Sequence, residues 1–520
     1  MAWQRETNEL RMRREAALAL GGPAAVEKWR QDGKGTARDR IAAFLDPASF
    51  REFGMLAGKG RFDAAGVLQS VQPSNCVTGS GEVGGRRVIV TSDDFTLRGG
   101  SSEGAVSDKW IYAERMAYEF RTPLVRFVDS AGGSVKLLEQ MGRTKIPGYV
   151  LWPSVQLIGA VPVAAIAFGS CAGLGAARVI GSHFSVMIRD RSYVFAAGPP
   201  VVKQGLGQDV TKDELGGWAM CTRQSGVVNN VADDESDAVA QVRRFLSYLP
   251  SNVWLAPPRE ANADDPARAD AWLNEAIPED RRKIFDPRRI LRAIFDQDSI
   301  FEISGGFGGS LITCLARLNG HAVGVMINNP AVMGGALNRA AAQKMERFVD
   351  ICDSFHLPMV HLVDQPGTMT GVEAERAGTL YAAMRAGAAI EQATIPWVSI
   401  VIRRAFGLAG SMLGPWHGPS GTSLNHRFAW PSARWGSIPI EGGVAAAYRR
   451  EIEAAPDPRA RRDELEAYYH NLASPFRTAE SFGVVDIVEP SETRALLCHW
   501  VKDAVALEAT RLGPKSRPMR

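Results

Sequence analysis

The stretch GSCAGLGAAR, residues 169–178, follows the apolar run VPVAAIAF at 161–168. An apolar run that enters a small-residue turn reads as a buried strand leading into a helix. The first N–H groups of such a helix have no intrahelical acceptors, so the turn Ala172-Gly173-Leu174-Gly175 is a ready anion site. Two such N–H groups can stabilise the negative oxygen of a thioester enolate, and losing one donor of this kind costs roughly 10²- to 10³-fold in rate. Taken alone, the glycines are better explained by tight strand–helix packing.

Other reactive residue types offer less. Gly33-Lys34-Gly35-Thr36 lacks the GxxxxGK[ST] spacing of a phosphate loop. His417 and His426 have no partner ligands at metal spacing, so no metal is expected. Asp129 and Asp364 end apolar runs and are read as capping or turn residues. Lys109 and Lys344 are each as consistent with a structural or solvated lysine as with a phosphate ligand. No acid–base pair or nucleophile triad stands out.

What positions the turn becomes visible when the chain is laid on itself. VIVTSDDFTLRGG (88–100) matches VGVMINNPAVMGG (323–335), and the register continues without a gap. Gly99 and Gly100 pair with Gly334 and Gly335, Lys109 with Lys344, Pro123 with Pro358, Asp129 with Asp364 and Gly132 with Gly367, all at an offset of 235. One residue is then lost, and at an offset of 234 Pro162 pairs with Pro396, Gly173 with Gly407 and Leu174 with Leu408. A register held over this span indicates two tandem copies of one domain. Each copy reads strand, Gly-Gly turn, helix, strand, a crossover of roughly 30 residues and a second Pro-led strand. That order predicts an α/β fold with largely parallel buried strands, whose ligands bind beyond the strand carboxyl ends. The Gly-rich turns sit there. A charged helical arm is expected over 1–32, and a Pro/Ala/Asp-rich linker places the domain boundary within 255–285.

The bounds agree with a large globular protein. A chain of 520 residues exceeds one ordinary core, and 45% hydrophobic against 22% charged residues can bury two. A net charge of +3 gives no whole-chain footprint for nucleic acid. No stretch reaches the roughly 18 apolar residues a membrane span needs. Six scattered cysteines without a CxxC pair, and no secretory signal at the start, predict reduced thiols and a cytoplasmic location.

The chain resembles the carboxyltransferase (β) subunit of biotin-dependent acyl-CoA carboxylases. The resemblance is carried by GKGTARDRIAAFLDP (33–47), SDDFTLRGG (92–100), RDRSYVFAAGPPVVK (189–203), FLSYLPSN (245–252), RFVDICDSFHLPMVHLVDQPG (347–367), FAWPSARWG (428–436) and EGGVAAAYRREIE (441–453). It implies two tandem crotonase-like (ClpP/crotonase) domains, here 33–265 on the acyl-CoA side and 266–520 on the biotin side. It also implies transfer of CO2 from carboxybiotin to the α-carbon, or a vinylogous carbon, of an acyl-CoA. The backbone N–H groups of Leu174 and Gly175 would hold the enolate, and those of Leu408 and Ala409 the ureido oxygen of biotin. Gly99, Gly100, Gly173 and Lys109 would line the acyl-CoA pocket. Gly334, Gly335 and Gly407 would line the biotin pocket, with Ser411 at the position that tunes acyl size.

A ureido nitrogen of biotin would then serve as base, which fits the lack of a side-chain acid–base pair. With no Met-Lys-Met biotinylation stretch and no recognisable ATP module, the resemblance implies a separate biotin carboxylase and biotin carboxyl carrier partner, and a homo-oligomer, by resemblance a hexamer. This chain departs from the family pattern in several places. Leu174 and Leu408 stand where a second Gly is usual, Ser134 replaces an Arg, Cys221 replaces a His, and WHGPSGTSLNH (416–426) is unlike the usual stretch. These departures leave the acyl group open. They also leave room for a decarboxylase that runs the reaction backwards, or for a non-catalytic scaffold subunit.

Overall fold

The computed structural model describes residues 3–144, 154–261, 264–280, 283–415, 426–515 and 517. The chain divides into two compact units, Met1–Val253 and Trp254–Arg520, so the Pro/Ala/Asp-rich stretch from 254 onward lies with the second unit.

In the first unit the sequence pattern produces β1 (Arg86–Asp93), helix α1 (Ser107–Glu119), β2 (Leu124–Ser130), β3 (Val163–Ala172) and helix α2 (Leu174–Ile180). The three strands are parallel neighbours in an eight-stranded sheet, which starts with antiparallel Arg51–Phe53 and Cys76–Val83 and ends at Asn230–Ala232. β2 and β3 are buried almost throughout, which is why they read as continuous apolar runs rather than alternating ones. The N-terminal arm is two helices, Gln4–Leu18 and Pro23–Gln31, and it is only partly solvated. Ala17 and Leu20 are buried, and Trp29 stacks on Phe95 at 5.2 Å. Thr36 caps the helix Ala37–Phe44 in a capping box with Asp39, which accounts for the Gly-Lys-Gly-Thr stretch without a phosphate.

The second unit repeats this plan with β4 (His321–Asn328), helix α3 (Arg339–Ser354), β5 (Met359–Gln365), β6 (Trp397–Phe406) and helix α4 (Gly407–Ser411). Its eight-stranded sheet has the same order, from antiparallel Phe301–Ile303 and Leu311–Leu318 through β4, β5 and β6 to Asp486–Ile487. Its core packs Trp430, Phe295, Leu362 and Trp500 with the aliphatic residues of β4 to β6, and the Trp430 Nε1 donates to Thr493 Oγ1 at 3.0 Å. Burying an indole without such a partner would cost free energy.

The repeat reaches down to irregularities. The β2–β3 pairing steps from Val128↔Ala167 to Ser130↔Cys171, and the β5–β6 pairing steps from Val363↔Val401 to Gln365↔Ala405. In each, one strand advances two residues while its neighbour advances four. Such a bulge bends the strand end and re-aims the turn that follows. All six cysteines are free and buried, and among the described residues no helix is long and apolar enough to cross a membrane.

Candidate active site

In the first unit three turns meet at the carboxyl ends of β1, β2 and β3. Arg98, Gly99 and Gly100 all have positive φ, at 55°, 61° and 62°. A Cβ on Gly100 would lie 2.2 Å from the Asp129 carbonyl oxygen, so only glycine fits there. The Gly99 carbonyl accepts from Ala131 N at 3.0 Å, and Ser130 Oγ donates to the Gly100 carbonyl at 2.8 Å. A Cβ on Gly175 would stand 3.2 Å from Ser130 Cβ, which places the start of α2 against the same turn.

The backbone chemistry of the third turn follows from its entry. Gly173 has φ 56° and ψ −115° and points its N–H back to the carbonyls of Phe195 and Ala196, at 3.2 and 3.1 Å. Leu174 and Gly175 then open α2, and among the described residues their N–H groups have no acceptor. The second unit is built alike. Met333, Gly334 and Gly335 have φ 49°, 63° and 86°, Gly407 has φ 63°, and the N–H groups of Leu408 and Ala409 likewise have no acceptor among the described residues. Leu408 is exposed and Ala409 buried, so the leucine side chain faces outward while the backbone stays in place. A cavity of about 500 Å³ adjoins this turn, lined by Pro366, Phe406, Arg403 and Arg404 among others.

The other expected residues fall as follows. Lys109 is buried and its Nζ donates to the Cys76 carbonyl at 2.6 Å, and a phosphate contact would require it to leave that carbonyl. Burial pushes its pKa down. Lys344 is the counterpart, on the Ser304 carbonyl at 3.2 Å, with its pKa pushed by burial to about 8. The paired lysines therefore hold α1 and α3 against strand-end carbonyls. Ser411 is exposed and its Oγ donates to the Leu408 carbonyl at 2.7 Å. Ser134 Oγ donates to Glu103 at 2.5 Å, and Cys221 is buried with its thiol pushed up to about 11 by desolvation. His417 lies outside the described residues, and His426 opens the strand His426–Ala429 and stacks on Phe428.

Asp129 and Asp364 are not capping or turn residues. Both are buried carboxylates, Asp129 accepting from Arg40 at 3.1 Å and Asp364 from both Arg403 and Arg404. Burial raises the Asp129 pKa to about 6, against the pull of Arg40. Sequence reasoning missed these arginines. Arg403-Arg404 did carry a signal, two charges inside the apolar run of β6, whereas nothing at Arg40 points to a partner 89 residues away.

Residues 28–517 match the carboxyl transferase domain. The chain belongs to the carboxyl transferase family. A propionyl-CoA carboxylase carboxyltransferase subunit of Haloferax mediterranei is 36% identical over 522 residues, covering 100% of this chain and 98% of that one. The methylmalonyl-CoA carboxyltransferase 12S subunit of Propionibacterium freudenreichii subsp. shermanii is 35% identical, covering 98% and 95%. A crystal structure of a transcarboxylase 12S hexamer, with methylmalonyl-coenzyme A bound, superposes with a TM-score of 0.85 at 32% identity over 99% of this chain and 96% of that one. The fold is thus the two-domain crotonase-like α/β fold, and this carboxyl transferase is the carboxyltransferase subunit of an acyl-CoA carboxylase.

Proposed function

We propose that this carboxyltransferase moves CO2 from carboxybiotin, borne on a separate carrier partner, to the α-carbon of an acyl-CoA. The observation that carries the reading is the duplicated turn, with two backbone N–H groups that have no acceptor among the described residues at equivalent places in both units. The first unit takes the acyl-CoA, and the second takes biotin. As the α-proton leaves, negative charge grows on the thioester oxygen, and the N–H groups of Leu174 and Gly175 hold it. Such donors act most strongly where water is excluded and no reorganisation is needed.

Biotin suits the second unit, because a ureido oxygen is a neutral acceptor that the N–H groups of Leu408 and Ala409 can hold beside a cavity of about 500 Å³. When bound, it supplies the CO2 and a ureido nitrogen to take the α-proton. Gly99, Gly100 and Gly173 let the thioester approach the backbone on one side, and Gly334, Gly335 and Gly407 do the same for biotin on the other. Lys109 acts through the packing of α1, and Ser411 is the residue we assign to acyl-size tuning.

Support for the substrate class comes from the relatives, whose names specify propionyl-CoA and methylmalonyl-CoA. The related 12S protein is a hexamer, and we extend that assembly to this chain. Sedimentation of an active monomer would contradict it. A cytoplasmic location agrees with six free cysteines.

The test uses the purified chain with free biotin and no ATP, starting with methylmalonyl-CoA and going on to longer malonyl-CoA-type thioesters. Biotin-dependent loss of the carboxyl group is expected for at least one thioester. Tight thioester binding without turnover across the whole series would instead identify a scaffold subunit.

A further inference from the structure

We propose that Arg404 is a carboxylate-recognition residue of the second unit, which distinguishes the carboxylated carrier group from the bare one. The inference rests on the carboxyltransferase reading above. Asp364 is fully buried and accepts from two guanidinium groups at once. Arg403 donates through Nε and Nη2 to its two oxygens at 3.0 and 2.7 Å, and through Nη1 to the Lys283 carbonyl at 2.9 Å. Arg404 donates through Nε and Nη2 at 2.6 and 2.9 Å, and through Nη2 to the Gly334 carbonyl at 2.7 Å. One carboxylate neutralises only one of the two arginines. The Nη1 of Arg404 has no acceptor among the described residues, and its side chain is 23% exposed against 5% for Arg403.

Comparison of the two units shows that the second arginine is surplus to the fold. At an offset of 234, Arg403 and Arg404 correspond to Gly169 and Ser170. A Cβ on Gly169 would lie 2.3 Å from Asp129 Oδ1, and Asp129 is paired with one guanidinium, that of Arg40, which also reaches Glu235 at 3.0 Å. One arginine therefore suffices for the buried aspartate of this scaffold. The second unit carries another, three residues before Gly407 and tied to the carbonyl of Gly334, so it stands between the two Gly turns.

Its surroundings favour an anion that is small and planar. Arg404 lines the cavity of about 500 Å³ with Pro366 and Phe406 on the turn side. The cavity's other arginines are engaged, Arg403 on Asp364 and the Lys283 carbonyl, and Arg434 through Nη1 on the Pro431 and Ala433 carbonyls. Of its acids, Glu441 lies 3.3 Å from His470, and Glu279 is the second. A carboxylate accepting from Nη1 would engage the nitrogen of Arg404 that Asp364 and Gly334 leave over, and charge-assisted bonds of this type are the strong ones. Arg404 forms no covalent bond in this role. It holds the carboxylate in register with the N–H groups of Leu408 and Ala409.

The test uses ¹³C-labelled bicarbonate as a planar carboxylate probe, titrated into the full chain and followed by ¹³C line broadening. Saturable broadening is expected with the wild type, about 10- to 100-fold weaker in Arg404→Gln and intermediate in Arg404→Lys, which keeps the charge. Thioester binding should be unchanged in both variants. Equal bicarbonate affinity in wild type and Arg404→Gln would overturn the proposal, as would the absence of broadening by the wild type. If Arg404→Gln fails to fold, Arg404→Lys decides, with wild-type affinity counting against the proposal. Because the probe reads binding, it remains decisive even if no thioester is turned over, the outcome that would defeat the functional reading instead.

Discussion

A leucine at 174 and at 408 contributes an N–H to the proposed chemistry, and its side chain is incidental to that contribution. Leu174→Ala and Leu408→Ala should therefore change kcat by only a few-fold. Leu174→Pro and Leu408→Pro remove the donor while proline is tolerated in a first helical turn, and each should lower kcat by roughly 10²- to 10³-fold. Steady-state rates on folded variants check this, and a folded proline variant with wild-type kcat would refute the assignment. These two positions were legible in the sequence because they recur at a constant offset. Asp129 and Asp364 recur at one too, yet their partners were not legible, because the fold neutralises them differently. Arg40 comes from a helix far away along the chain, and Arg403 and Arg404 come from the neighbouring strand. Identical buried charges impose a need for some cation without specifying which segment brings it.

At the scale of elements, the strand order, the Gly turns and the bulges are the same in both units, and the first two follow from the residue pattern. Apolar runs led by Pro and closed by Gly predict buried parallel strands and the turns beyond them. The bulges were not foreseen, since a register step leaves no mark in composition. Nor was the partial burial of the N-terminal arm, whose many charged side chains mask the few apolar ones that dock. Within the first turn the two glycines should not be equivalent. Gly99→Ala meets nothing closer than 3.7 Å and pays only the strain of positive φ, roughly 1–2 kcal/mol. Gly100→Ala adds a 2.2 Å collision with the Asp129 carbonyl and should destabilise more, moving β2 and with it the turn. Urea denaturation of both variants tests this, and equal midpoints would contradict the clash.

For the molecule as a whole, pH should act through histidines buried in each unit. Burial lowers both His183 and His361 to about 4. His183 Nδ1 accepts from Val163 N at 3.0 Å while Nε2 faces the Ile158 carbonyl at 2.9 Å, an arrangement suited to neutral imidazole. Between about 6.5 and 4 the unfolded chain binds protons that the folded chain refuses, so stability is full above pH 6.5 and falls as pH drops to 4. The loss is on the order of 3 kcal/mol per histidine. Asp129, raised to about 6, works the other way, since the folded chain takes up its proton first, and it offsets part of the loss. Urea midpoints should therefore fall from pH 7 to pH 4.5, and fall less in His183→Gln. An identical decline in that variant would remove His183 as a cause.

The buried cysteines have a practical consequence. Desolvation pushes Cys76 up to about 12 and Cys498 to about 11, and it raises Cys171, Cys314 and Cys352 as well. In the native chain all six should be silent toward iodoacetamide at neutral pH, because the thiolate is the nucleophile. Cys76, Cys171 and Cys221 belong to one unit, and Cys314, Cys352 and Cys498 to the other. Alkylation during gradual denaturation, read by peptide mass, would record when each half opens, so the wild-type chain already carries two sets of unfolding reporters.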